Sequence, residues 1–205
     1  MKTKHQHFKI YKPYGMLSQF DSNAKHEQKK RFLSELGTFT DGTMPIGRLD
    51  KKSEGLLLLT TDGKLSNHIN QSGIEKEYYA LVDGAISAKA IQDLQTGVKI
   101  GFDGIKYNTK PCKAKILEST PNLPQRTKKI RDERHGPITW ISITLTEGKF
   151  KQVRKMTSAV GFPTLRLVRV RIGNILLENM KSGDVVLLEN LLAFSLNPFY
   201  NFCLQ

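Results

Sequence analysis

The sequence predicts an α+β fold dominated by antiparallel sheet. Short apolar runs closed by Gly, Asp or Asn recur along the chain, helical spacing is confined to a few capped segments, and Ile141, Ile143 and Leu145 alternate with Ser142, Thr144 and Thr146 as in a half-buried strand. At 205 residues, 39% hydrophobic and 25% charged, the chain is large enough for one sizeable core or two joined subdomains.

Taken in order, Phe8–Tyr11 reads as an opening strand, and Ser22 or Asn23 can cap a helix whose apolar positions Phe32, Leu33 and Leu36 precede Gly37. The continuous run from Gly55 to Thr60 suits a strand buried on both faces, and Asp62-Gly63 closes it. Lys64–Asn70 then reads as a short helix ending near Gly73. Tyr78–Val82 is a further strand, and Ser87 caps a helix carrying Ile91 and Leu94 up to Gly97. Val98–Phe102 and Ile105–Tyr107 pair as a hairpin across Asp103-Gly104. From Lys151 to Val160 the residues Val153, Met156 and Val160 form a helical stripe, with Gly161 and Pro163 placed to stop it. Leu165–Ile172, interleaved with arginines, and Val185–Glu189 complete the strands, while Glu118–Gly136, rich in Pro, Thr, Lys and Arg, reads as a linker.

Charge is the first functional clue. Lys and Arg exceed Asp and Glu by 32 − 19 = 13, and between Gln125 and Arg171 twelve basic residues face three acidic ones, a local balance of 12 − 3 = +9. Such a field suits a polyanionic partner, although any single lysine in it is more often only a solvated cation. No apolar run approaches the roughly 18 residues of a membrane span. A polar start without an apolar leader segment makes cytoplasm the expected location, and Cys112 and Cys203, with no C-x-x-C spacing, are expected to be reduced thiols. Phosphate-binding glycine motifs, a G-x-S-x-G nucleophile and metal-site histidine spacing are all missing, so no metal and no nucleotide cofactor are indicated. Carboxylate chemistry remains.

The segment Gly47-Arg48-Leu49-Asp50-Lys51-Lys52-Ser53-Glu54-Gly55-Leu56-Leu57-Leu58-Leu59-Thr60-Thr61-Asp62-Gly63 resembles the long signature of the ribosomal RNA pseudouridine synthases of the RsuA family. Tyr11-Lys12-Pro13-Tyr14-Gly15, Lys76-Glu77-Tyr78 and Glu147-Gly148-Lys149-Phe150-Lys151-Gln152-Val153-Arg154-Lys155-Met156 follow that family's order. Val160–Arg169 is most similar to the RluE-like subgroup, which modifies large-subunit ribosomal RNA. The resemblance implies the pseudouridine synthase fold, a mainly antiparallel mixed sheet flanked by helices and loops. It also implies isomerisation of a uridine in 23S ribosomal RNA, as free RNA or within an assembling large subunit, with no cofactor. The expected layout is a disordered tail over 1–7, a catalytic domain of two intimately joined subdomains over 8–190 and an extension over 191–205; a monomer without an N-terminal S4-type module is expected.

The resemblance implies roles for single residues. Asp50 is the catalytic carboxylate, Arg154 pairs with it and favours its ionised form, and Tyr78 offers a ring for an extruded uracil. Arg48 contacts RNA, and Lys149, Lys151, Lys155 and Arg166 supply further RNA-binding charge. Taken singly, an Asp after Leu is ordinarily a turn residue, a tyrosine on a strand is ordinarily core, and an arginine beside an apolar stripe ordinarily snorkels to the surface. Relatives carry E-G-R-N-R-Q-V-R-R-M where this chain has Lys149, Phe150, Lys151 and Lys155, which keeps most of the charge but loses bidentate geometry. A catalytically silent ribosomal RNA-binding assembly factor is the alternative. A glycosidase would want a second carboxylate, and Glu54, the nearest, could as easily face solvent.

Overall fold

A computed structural model of the chain describes residues 4–102, 104–189 and 191. These fall into two units, one formed by residues up to Ile74 together with those from Arg169 on, the other by Glu75–Val168.

The first unit opens with β1 (His7–Lys12), followed by 3-10 turns at Lys25–Glu27 and Leu33–Leu36, then β2 (Met44–Ile46), β3 (Glu54–Thr60) and α1 (Gly63–Gln71). The second unit holds β4 (Lys76–Asp83), α2 (Ala88–Thr96), β5 (Lys99–Phe102), β6 (Ile105–Asn108), β7 (Lys113–Ile116), β8 (Ile138–Leu145) and α3 (Gln152–Ala159). Strand β9 (Thr164–Ile172) gives residues to both units, and β10 (Ile175–Leu176) and β11 (Val185–Leu188) return to the first. The fold is therefore α+β with a mainly antiparallel sheet and flanking helices, as the sequence predicts.

In the first unit β1 lies antiparallel between β11 and β3, with His7 opposite both Leu188 and Thr60. Strand β3 pairs with both β1 and β2, and Leu56, Leu57, Leu58 and Leu59 are each fully buried. Burying a leucine contributes roughly 1.5–3 kcal/mol, so this run is a main source of the unit's stability. In the second unit β8 is flanked by β4 and β7, and Ala80, Val82, Ile141 and Ile143 join Val153 and Met156 of α3 in one hydrophobic cluster. The caps behave as their residue types suggest: the Asp62 carboxylate accepts from Leu65 N–H at 3.0 Å, and the Ser87 hydroxyl from Ala90 N–H at 3.2 Å.

Several expectations are corrected. The helix expected between Ser22 and Gly37 is replaced by the two 3-10 turns, because residues 25–31 are polar all round and offer no stripe to bury. The backbone there pairs elsewhere, with Leu17 N–H on Arg31 C=O and Leu33 N–H on Gln19 C=O, both at 2.9 Å. Strand β1 begins at His7, and just before it Gln6 N–H donates to the Thr61 hydroxyl at 3.0 Å. The polar side of β8 is not solvated, since Ser142 and Thr144 are buried and the Ser142 hydroxyl donates to Glu77 at 2.7 Å. Strands β2 and β10, of three and two residues, are too short to have left a periodic signal, and the four-residue β7 is not among the strands that the sequence predicts. Most of the expected C-terminal extension, with Cys203, and Asp103 of the hairpin turn lie outside the described residues.

Candidate active site

Asp50 stands half-buried on the loop between β2 and β3, with exposed Arg48 two residues before it and buried Leu49 between them. The loop is tied down at several points. The Ser18 hydroxyl accepts from Leu49 N–H at 2.9 Å and donates to Leu49 C=O at 2.8 Å, Ser53 N–H donates to Asp50 C=O at 2.9 Å, and Gly15 N–H donates to Lys51 C=O at 2.8 Å. Gly15 makes its contact from φ +84°, a left-handed conformation that a side chain would strain. At the loop's start Gly47 has φ +67°, and a Cβ there would lie 3.0 Å from the Asn70 amide oxygen. A carboxylate is thus carried on backbone whose neighbouring polar groups are hydrogen-bonded, which favours one orientation over many.

Lys12 of the Tyr11–Gly15 segment lies close to this loop. It is fully buried at the end of β1, and its ammonium nitrogen donates to Pro13 C=O at 2.9 Å and Met16 C=O at 2.8 Å, bracketing the turn that carries Gly15. Burial lowers its pKa to about 7 against opposing attraction from Glu54 and Asp50, with repulsion from Arg169 and Arg31 adding to the burial. Glu54, expected to be as ready to face solvent, is 2% exposed and accepts from the Tyr11 hydroxyl at 3.5 Å. Arg169 is also buried and donates to Leu56 C=O at 2.7 Å. Nothing in hydropathy patterning marks a buried lysine beside a buried glutamate, though the Tyr-Lys-Pro segment marks the place.

The second unit carries Tyr78 and Arg154. Tyr78 is half-buried on β4, opposite Ile143 of β8, and packs against the edge of the hydrophobic cluster. Arg154, on α3, is half-buried and donates to Thr164 C=O at 3.1 Å. Before α3 the chain turns at Lys151, whose φ of +51° is rare for a residue with a side chain. Glu147 steadies this turn by accepting from Tyr107 at 2.5 Å, Lys110 N–H at 3.0 Å and Gln152 at 2.5 Å. Burial opposes ionisation of Glu147, but these bonds and the nearby Lys149 charge outweigh it and hold the carboxyl below its ordinary value.

Lys151, Arg154 and Lys155 line one open depression with Lys99, Gly101 and Ser158, of about 470 Å³. Lys149 and Lys151 are exposed and Lys155 half-exposed, as phosphate contact requires. Arg166 is not: at 7% exposure it donates to Pro124 C=O at 2.6 Å and pins the linker instead. Other arginines of the basic segment are likewise tied to backbone or carboxylates, Arg131 to Asp83, Gly136 and Pro137, and Arg126 to Lys128 and Lys129. The planar guanidinium suits several fixed acceptors at once, which leaves the exposed charge of this segment mainly to lysines. The Cys112 thiol donates to Leu94 C=O at 3.1 Å and is raised by burial to about 11, so it is not a nucleophile. Among the described residues no group of three or more His, Cys, Asp or Glu could hold a metal ion, and no helix is long and apolar enough to cross a membrane.

Residues 6–159 match the family model described as RNA pseudouridylate synthase. The ribosomal large subunit pseudouridine synthase E of Xanthomonas axonopodis pathovar citri is 42% identical over 167 residues, covering 80% of this chain and 84% of that one. The protein of the same name from Vibrio parahaemolyticus is 37% identical over 175 residues, covering 84% of this chain and 69% of that one. A crystal structure of a pseudouridylate synthase shares the fold at a TM-score of 0.72 with 24% identity, over 90% of this chain and 70% of that one.

Proposed function

The chain belongs to the RNA pseudouridylate synthase family, and from that premise we propose that it isomerises a specific uridine of 23S ribosomal RNA to pseudouridine, with Asp50 as the catalytic carboxylate. The observation that carries the assignment to Asp50 is its loop: a half-exposed carboxylate whose neighbours Leu49, Lys51 and Ser53 are each hydrogen-bonded in place. The reaction breaks the N1–C1′ bond, forms a C5–C1′ bond, releases the C5 proton and leaves N1 protonated. It is redox-neutral and balances without a cofactor. A carboxylate serves it either by attacking the sugar or by taking a proton, and is released unchanged at the end.

The remaining roles follow the family motifs. The target nucleotide must leave its stack before the glycosidic bond is accessible, at a cost of a few kcal/mol. Tyr78 supplies a flat ring on which the extruded uracil stacks and a hydroxyl for proton transfer, Arg154 holds the Asp50 carboxylate ionised, and Arg48 contacts the RNA from the same loop as Asp50. The substrate class is tested with 23S and 16S ribosomal RNA carrying 5-tritiated uridine. Tritium release from 23S alone is expected. Release from 16S alone overturns the large-subunit assignment, and release from neither supports a silent assembly factor.

A further inference from the structure

The loop between β8 and α3 presents an aromatic ring that no role above uses. Phe150 is 64% exposed, the most exposed aromatic among the large hydrophobic residues at the described surface. It is also a departure from the family pattern, which has Asn at this place. Lysines surround it: the Lys151 ammonium lies 4.5 Å and that of Lys155 5.3 Å from its ring centre. Lys155 also sits 3.9 Å over the Phe102 ring and donates to Gly101 C=O at 2.6 Å, and Lys149 lies 5.1 Å over Tyr107. Among the described residues that line the depression with Lys99, Lys151, Arg154 and Lys155, none is acidic. Glu147, the nearby carboxylate, is engaged by Tyr107, Lys110 and Gln152.

An exposed flat ring beside a shallow cationic depression offers the two surfaces that one unpaired nucleotide requires, a face for the base and cations for the phosphate. We propose that Phe150 stacks on an unpaired nucleotide of the RNA substrate outside the uridine that reacts, with the adjacent phosphate held by Lys151, Lys155 and Lys99. This rests on the RNA-modifying reading above. Lysines are point charges and set no base identity, so the contact selects unpaired over paired RNA rather than a sequence. It also compensates for the bidentate arginine contacts that this segment lacks.

The test compares wild type, Phe150→Ala and Phe150→Trp on two labelled RNAs, a hairpin with an unpaired uridine-rich loop and a fully paired duplex of equal length. Phe150 is exposed, so both variants should keep the wild-type melting temperature. Phe150→Ala should weaken hairpin binding by roughly five- to a hundredfold, the range expected for loss of one stacked base, and duplex binding by less than about twofold. Phe150→Trp should restore it. Equal affinity of wild type and Phe150→Ala for the hairpin overturns the proposal, as does an equal loss on both RNAs. Phe150-dependent binding to phosphatidylserine vesicles with none to the hairpin overturns it in favour of a membrane surface. Tritium release by wild type from 23S and 16S RNA is measured separately: a Phe150-dependent hairpin preference without release from either keeps the stacking contact and rejects the enzymatic reading.

Discussion

Ser18 grips Leu49 on both sides, its buried hydroxyl accepting from the Leu49 N–H and donating to the Leu49 C=O. The residue so held is the one immediately before Asp50. Ser18→Ala leaves two buried backbone groups unsatisfied, a loss of about 1–3 kcal/mol of stability, and frees the loop. Because a misplacement of about 1 Å can cost a hundredfold in rate, single-turnover conversion should fall roughly ten- to a hundredfold while RNA affinity changes less than about twofold. An unchanged rate would make the grip purely structural.

Lys12 makes stability depend on pH in a definite direction. Its folded pKa, about 7, lies below the ordinary 10.5, so the unfolded chain binds more protons between these values and stability rises with pH across that window. Below pH 7 the burial penalty is fully present; above 10.5 the gain levels off. Lys12→Met should remove this rise. Urea midpoints of both proteins at pH 7 and pH 9.5 check it, and identical pH responses would show that Lys12 does not titrate there.

The contrast between the two kinds of cation predicts how binding responds to salt. With Lys128, Lys149 and Lys151 exposed and Arg166 buried, a few phosphate contacts should weaken affinity roughly ten- to a hundredfold between about 50 and 200 mM salt. Lys128→Ala should reduce that slope and leave saturated turnover unchanged, whereas Arg166→Lys should lower the melting temperature before it alters the slope. A salt-independent affinity would remove the lysine surface from the account.

Arg154→Lys separates catalysis from the general field. It keeps the charge but loses the planar fork, so turnover should drop at least tenfold with RNA affinity within about threefold of wild type. Equal turnover would leave Arg154 as one surface cation among several.

Much of this architecture is legible in the sequence, for particular reasons. Residues Leu56–Leu59 cannot be covered except in an interior strand, and Ser87 announces a helix start through a side chain that bonds a first-turn N–H, whereas Asp62, read as closing the strand, also caps the helix after it. What stayed hidden depends on partners distant in sequence. The stretch before Gly37 has capping residues and apolar positions, but its backbone bonds to Leu17 and Gln19 prevail over helix formation. Glu54 and Arg166 look like surface charges in a linear reading and are buried because Tyr11 and Pro124 meet them in the fold. The motif around Asp50 marks the site, whereas the Ser18 grip spans 31 residues of sequence and leaves no pattern there.

The assignment of Asp50 as the catalytic carboxylate is tested most directly by Asp50→Asn, which preserves size and shape while removing the negative charge. Tritium release from 5-tritiated 23S ribosomal RNA is measured alongside RNA affinity and melting temperature. Release should fall below detection, at least about a thousandfold, as expected when a covalent or proton-transfer group is lost, while affinity and melting temperature stay near wild type. Release at a rate comparable to wild type would contradict the assignment.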